Sequence, residues 1–296
     1  MGRPIGVFID SQDLGDFVER VAGLAEAGFD SAWAPQVFGI DALTALAVAG
    51  REVGGIRLGT AVVPTYPRHP SVMAIQALTT QAASGGRLTL GIGLSHQVVV
   101  ENMWGISFER PARHMQEYLS ALMPQLRDGS VSFKGETITS MGQLQVSGVE
   151  APSVVVAALG PRMLKIAGTL ADGTITWMTG TQTVGNHIVP HVAKAAADAG
   201  LPEPRVVVAL PVSVTTDEAT ARERAAAVFA IYGHLPSYRA MLDREGAEGP
   251  ADVAIVGDAA SVKAKIAAVF DAGATEFVAV PFFEPKRTLA TLAELL

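Results

Sequence analysis

Residues 153–173 read SVVVAALGPRMLKIAGTLADG, and the rest of the chain is best read outward from them. Val154 to Leu159 is a short, β-branched apolar run, the pattern of a strand buried on both faces. It stops at Gly160-Pro161, after which apolar residues recur at Met163, Leu164, Ile166, Ala167 and Leu170, a helical spacing. Pro161 suits the first helical position, where its missing N–H costs nothing and its φ is already set. Gly160 lets the backbone come close to whatever lies above the turn. The unpaired N–H groups of the first helical turn, with Arg162 beside them, make an anion site. An ordinary strand-to-helix turn of an α/β protein accounts for the same residues.

The strand-then-helix unit repeats on both sides. Strands are expected at Ile5 to Ile9, Ser31 to Val37, Ile56 to Val63 and Arg87 to Gly93. Further strands follow at Gly173 to Met178, Val206 to Val214 and Glu276 to Val280. Helices are expected at Leu14 to Ala27, Ala42 to Val53 with Asp41 as cap, Ser71 to Ala83 and Pro111 to Leu126. Others lie at Val189 to Ala199, from Asp217 onward, and at Ser261 to Asp271. Val131 to Val146 alternates in polarity and carries Gly135 and Gly142, which reads as a hairpin before strand five. Eight strands alternating with helices predict a single (β/α)8 TIM barrel over residues 1–296, with that hairpin and a helical segment before strand eight as insertions. An open doubly wound sheet would want a glycine fingerprint after the first strand. Asp10-Ser11-Gln12-Asp13 has none, and Gly91-Ile92-Gly93 lacks the third glycine.

The composition agrees with a large core: 49% of residues are hydrophobic and 17% charged. Mean hydropathy is +0.32, yet no apolar run is long enough to span a bilayer. Met1-Gly2-Arg3-Pro4 leads straight into a strand without the layout of a signal peptide, so a soluble, cytoplasmic protein is expected. The absence of cysteine excludes disulfides and thiolate chemistry. A net charge of −7 and the lack of a basic run argue against nucleic-acid binding.

In a barrel the active site gathers at the C-terminal strand ends. Those ends offer Asp10, Gln36, Pro64, Ser95, His96, Leu159, Trp177, Thr179, Pro211, Pro281 and Phe282. They include no lysine for Schiff-base chemistry, and Asp10 is their lone carboxylate. A mouth so poor in acids and bases suits a reaction whose hard step belongs to a cofactor acting on a small-molecule substrate. His96 is the leading single candidate, for proton transfer or for a hydrogen bond to a cofactor carbonyl. A loop histidine bonded to backbone explains it equally well. His187 and His191 have i, i+4 spacing but Pro190 between them and no third ligand, so they read as surface residues and no metal is expected. Arg110, Arg113 and His114 could meet an anionic tail, although Arg113 and Glu117 pair by default on a helix face. Tyr232, His234 and Tyr238 surround Pro236 and could form a lid, or simply pack.

Several segments resemble the luciferase-like monooxygenase superfamily, in its branch dependent on the deazaflavin coenzyme F420. They are Gly59-Thr60-Ala61-Val62-Val63-Pro64 running to His69-Pro70, Leu90-Gly91-Ile92-Gly93-Leu94-Ser95-His96, Ala157-Ala158-Leu159-Gly160-Pro161-Arg162, and Val256-Gly257-Asp258 with Ala272-Gly273-Ala274. The resemblance implies a (β/α)8 barrel, usually a homodimer, whose third strand ends in a bulge with a non-prolyl cis peptide behind the deazaflavin ring, here Ala61-Val62. It implies that the turn Ala157, Ala158, Leu159, Gly160, Pro161, Arg162 holds the cofactor phosphate and that His96 faces the cofactor. Relatives that oxidise sugar phosphates carry a histidine after strand two and a glutamate after strand four. Gln36 and His96 stand at those positions, so that acid/base pair is missing and its substrate is not expected. The activity implied is hydride exchange at the deazaflavin C5 with a small organic substrate, Gln36 and His96 being the catalytic candidates. Two alternatives stay open: an FMN-dependent monooxygenase fed by a separate reductase, and a cofactor-binding barrel without turnover.

Overall fold

A computed structural model describes residues 3–36 and 38–296. Eight parallel strands close on themselves in chain order: Ile5–Phe8, Ser31–Ala34, Arg57–Thr60, Leu88–Gly93, Ser153–Ala157, Gly173–Trp177, Arg205–Val214 and Glu276–Pro281. Closure comes from the last strand pairing with the first, Phe277 against Ile5 and Ala279 against Val7. The seventh strand, the longest, bridges its neighbours by pairing with both the sixth and the eighth. This is the expected α/β barrel, and helices follow its strands.

Side chains fill the barrel rather than leaving a pore. Trp33, Val155, Ile175, Val207, Ala209 and Val278 form the inner cluster. Trp33 is too large for eight ordinary neighbours, and glycines on the flanking strands make room. A Cβ on Gly59 would lie 2.3 Å from the indole Cε3, and one on Gly6 would lie 2.2 Å from the Ser31 hydroxyl. At the N-terminal end the buried carboxylate of Glu276 accepts from Ser31 (2.5 Å), Trp33 Nε1 (3.3 Å) and Arg205 (2.9 Å). Arg205 also reaches Thr89 and Ser153, tying four strands together at the end away from the strand C-termini. That end is built for stability.

The two insertions lie where the sequence places them. The hairpin pairs Ser130–Lys134 with Thr139–Gln143. Its turn is fastened by Glu117, whose carboxylate accepts from the amides of Glu136, Thr137 and Ile138 and from the Thr137 hydroxyl. Before strand eight come helix Glu218–Val228, a short 3₁₀ turn Ala230–Gly233 and helix Pro236–Glu245.

Some boundaries differ. The third strand ends at Thr60 and resumes as Val63–Pro64, because the bulge between them breaks the ladder. The second strand ends at Ala34, and the expected terminus Val37 lies outside the described residues. A ninth parallel strand, Ile255–Gly257, pairs with the outer half of the seventh, and a final helix covers Pro285–Ala293. Three apolar residues carry too little periodicity to mark a strand. The segment after strand four, expected as a loop, contains a π-helical turn, Val98–Met103.

Candidate functional site

The C-terminal strand ends open into a cleft of about 2240 Å³. Its walls include Phe8, Ala61, Val62, Gly93, Ser95 and His96 on one side. Ala157 to Gly160, Trp177, Phe229, Tyr232, Tyr238 and Phe282 complete it. Three of the four non-glycine residues with left-handed backbone among the described residues, Ser95 (φ 62°), Met178 (φ 54°) and Glu284 (φ 47°), follow barrel strands at this end. Such conformations concentrate at functional sites.

The bulge is built from two directions. The Ala61–Val62 peptide is cis, as the resemblance implies. The glycines of Gly91-Ile92-Gly93 receive it, and no nucleotide-binding role is needed to explain them. A Cβ on Gly91 would stand 2.0 Å from the Thr60 carbonyl, and one on Gly93 would stand 2.6 Å from the Val62 side chain. Val62 therefore leans across the fourth strand and borders the cleft.

On the fifth strand, Gly160 (φ −77°, ψ 155°) caps the helix Pro161–Leu170, with Pro161 in its first turn as expected. The first backbone bond of that turn is from Leu164 N to Gly160 O at 2.9 Å, which leaves the amides ahead of it pointing out of the helix end. No acceptor meets the Gly160 amide among the described residues, and nothing lies within 4 Å of where its Cβ would be. Arg162 is exposed and forms no ion pair among the described residues. The cradle is open and its donors are free, which fits an anionic group. Ala157, Ala158, Leu159 and Gly160 border the cleft, whereas Pro161 and Arg162 stand just beyond its edge.

His96 follows the left-handed Ser95 and borders the cleft. Its ring lies 6.0 Å from that of Tyr238, and burial holds its imidazole below the ordinary range, so it is neutral at pH 7. Gln36 also borders the cleft, but its amide oxygen is committed to the N-terminus of the second helix, accepting from Ala42 N at 2.8 Å. Tyr232 and Tyr238 are cleft walls, whereas His234 is exposed and outside it. Trp177 meets Phe229 (5.7 Å, 77°) and Tyr232 (5.8 Å, 78°) edge-on, and Phe229 meets Phe282 (5.6 Å) in the same way. Burial pushes the Tyr232 phenol up, and the nearby Trp177 indole opposes this, yet the indole N–H reaches no acceptor in bonding geometry.

Two readings of the sequence are corrected and one is extended. Asp10 is the lone carboxylate of the strand ends, but Glu101, on the π-helical turn, also borders the cleft, bonded by Gln97 (2.9 Å) and the Phe108 amide (3.3 Å). Its spacing from the strand end hid it. Arg110, Arg113 and His114 do not form an anion site. Both arginines pair with Glu136, at 2.6 and 2.8 Å. His114 stacks on Tyr66 at 4.0 Å and bonds Thr65 at 3.0 Å, and burial holds it down at about 4 despite Glu117 nearby. His187 is not a surface residue. It is 3% exposed and bonds the Leu159 carbonyl at 2.8 Å. That partner is 28 residues away, and no local pattern announces it.

The model of the family described as luciferase-like monooxygenase matches residues 4–276. The chain belongs to that family. A luciferase-like chain is an enzyme chain, and its relatives show the range of cofactors in use. Over 248 residues it is 29% identical to the 5,10-methylenetetrahydromethanopterin reductase of Methanolobus tindarius, covering 82% of this chain and 74% of the relative. Among solved structures, the coenzyme F420 dependent tetrahydromethanopterin reductase from Methanopyrus kandleri superposes with a TM-score of 0.85 at 21% identity, covering 100% and 99% of the two chains. The oxygenating constituent of 3,6-diketocamphane monooxygenase from Pseudomonas putida, in complex with FMN, gives 0.78 at 15% identity over 99% and 97%. At such identities the two structures establish the shared luciferase-like barrel.

Proposed function

We propose that the chain is an F420-dependent oxidoreductase exchanging hydride with a small organic substrate. One observation carries the reading: a free-amide turn at Leu159–Gly160 and a bulge at Ala61–Val62 border a single, mostly apolar cleft. That is a seat for an anionic group joined to a flat ring. The likeness to a putative coenzyme F420-dependent oxidoreductase of Mycobacterium tuberculosis, 30% identical over 188 residues, supports the deazaflavin over FMN. When bound, the deazaflavin supplies the hydride at its C5.

The chain supplies the rest. The Gly160 amide and Arg162 hold the phosphate. Val62 backs the ring. Neutral His96 bonds the polar edge of the ring, and water handles any accompanying proton. Gln36, its oxygen committed to Ala42, has its amide nitrogen left to donate to the ligand. Trp177, Phe229, Tyr232, Tyr238 and Phe282 exclude water and fix the substrate against the ring. No helix among the described residues is long and apolar enough to cross a membrane, which supports action in the cytoplasm. Exposed Val72 and Ile75, beside Met141 on the hairpin bonded to the same helix, support a homodimer, which sedimentation would test.

The test of function is to mix purified protein with reduced or oxidised F420 and a panel of ketones, enones and alcohols, following the oxidised deazaflavin absorbance. Turnover with FMN and oxygen instead would favour the monooxygenase reading, and binding without turnover the cofactor-holding barrel.

A further inference from the structure

His187 lies in the π-helical turn Val184–Ile188 that follows the sixth strand. Such turns are uncommon and recur at functional sites. Its Nε2 stands 2.8 Å from the carbonyl oxygen of Leu159. A carbonyl only accepts, so the ring carries its proton on Nε2. Burial above all holds the imidazole below its ordinary range, and Arg244 and His191 add to this against the Leu159 bond, so the ring is neutral. The turn is itself held in place. His191 Nδ1 donates to the His187 carbonyl at 2.7 Å, and the Glu245 carboxylate accepts from the amides of Gln182 (3.1 Å) and Thr183 (2.7 Å) where the segment begins.

The consequence falls on the next peptide. The Leu159–Gly160 bond is trans, so its carbonyl and its N–H point in opposite directions. Pinning the oxygen toward His187 aims the Gly160 N–H the other way, where Gly160 borders the cleft and no protein acceptor meets it among the described residues. Glycine by itself would let this peptide turn over freely. We infer that His187 is a positioning residue for the cofactor phosphate, holding the Leu159 carbonyl so that the Gly160 amide is aimed at the anion before it arrives. The inference rests on the cofactor reading above.

The test compares dissociation constants for F420 and for the same deazaflavin ribitol lacking its phosphate, on wild type, His187→Leu and His187→Gln. The leucine removes the donor, and the glutamine carries an amide N–H to the place of Nε2. His187→Leu should weaken F420 about tenfold, on the scale of one hydrogen bond, and leave the phosphate-free compound unchanged. His187→Gln should recover most of the loss. Equal weakening of both compounds, or of neither, would overturn the inference. If His187→Leu does not fold, ¹⁵N NMR of the wild-type imidazole decides. A neutral ring protonated at Nε2 supports the inference, and a ring protonated at Nδ1 alone contradicts it. Wild type that binds FMN and not F420 would overturn the cofactor assignment but not the role of His187, since FMN against riboflavin then makes the same comparison. Wild type that binds neither overturns both.

Discussion

The Thr60 hydroxyl is bonded to both backbone groups of Gly91, donating to its carbonyl at 2.7 Å and accepting from its amide at 2.8 Å. The direct ladder of the third and fourth strands ends at Gly59 and Thr89 and resumes at Val63 and Ile92, and the bridge holds the gap together while Val62 leans over Gly93. The floor of the cleft depends on it. Thr60→Val should cost about 1–3 kcal/mol, because it leaves two buried backbone groups unpaired. Gly91→Ala should cost as much or more, since its methyl would meet the Thr60 carbonyl at 2.0 Å. Urea unfolding measures both. Wild-type stability in Gly91→Ala would show that the two strands are not packed as described.

Arg162, exposed and without an ion pair among the described residues, stands beside the turn proposed to hold the phosphate. Arg162→Ala should weaken cofactor binding by roughly 1–3 kcal/mol, the range of a charge-assisted bond, and should make binding less sensitive to salt. An unchanged dissociation constant would remove Arg162 from the site while leaving Gly160 in it.

His96 separates binding from proton transfer. As a cofactor ligand, its replacement by alanine should lower affinity while turnover at saturation barely moves. As a proton relay, it should lose about 100-fold in turnover with affinity intact. The first outcome is expected, since no carboxylate bonds its ring and burial holds it neutral. For the same reason the dissociation constant should stay level between about pH 6.5 and 8, with any change confined to lower pH.

Acid should destabilise the fold in two steps. Burial holds His114 at about 4 against 6.5 when unfolded. Glu117 is held at about 2 against 4.5, because the bonds from Thr137, Glu136 and Ile138 outweigh the rise that burial imposes. In both cases the unfolded chain binds the proton first. The stabilisation is therefore complete above pH 6.5 for His114 and above 4.5 for Glu117, and is lost as pH falls toward about 4 and about 2 respectively. Unfolding free energies measured from pH 8 to 3 should decline in that order, and Glu117→Gln should flatten the part below 4.5. A decline confined to pH values above 6.5 would contradict the assignment.

The barrel was legible because its strands are apolar runs and its helices have clear periodicity, as at Val154 to Leu170. The strand-to-helix turn after Ala157 was legible too, since Gly160-Pro161 is a local signal for a local structure. What escaped depends on distant partners. His187 answers to Leu159, Glu117 to the hairpin turn, and Gln36 to Ala42. Glu101 reaches the cleft only because the segment after strand four coils back over it. Gly91-Ile92-Gly93 lacks the third glycine of a nucleotide motif, and its glycines are clearance for the Thr60 carbonyl and Val62. That follows only once the third and fourth strands are seen side by side.

On the function proposed above, this cleft takes a deazaflavin phosphate at the Leu159–Arg162 turn. Equilibrium titration of the purified chain with F420 and with FMN, followed by fluorescence, tests it most directly. Saturable binding of F420 in preference to FMN, weakened by Arg162→Ala, is expected. Preference for FMN, or no binding of F420 at all, would contradict it.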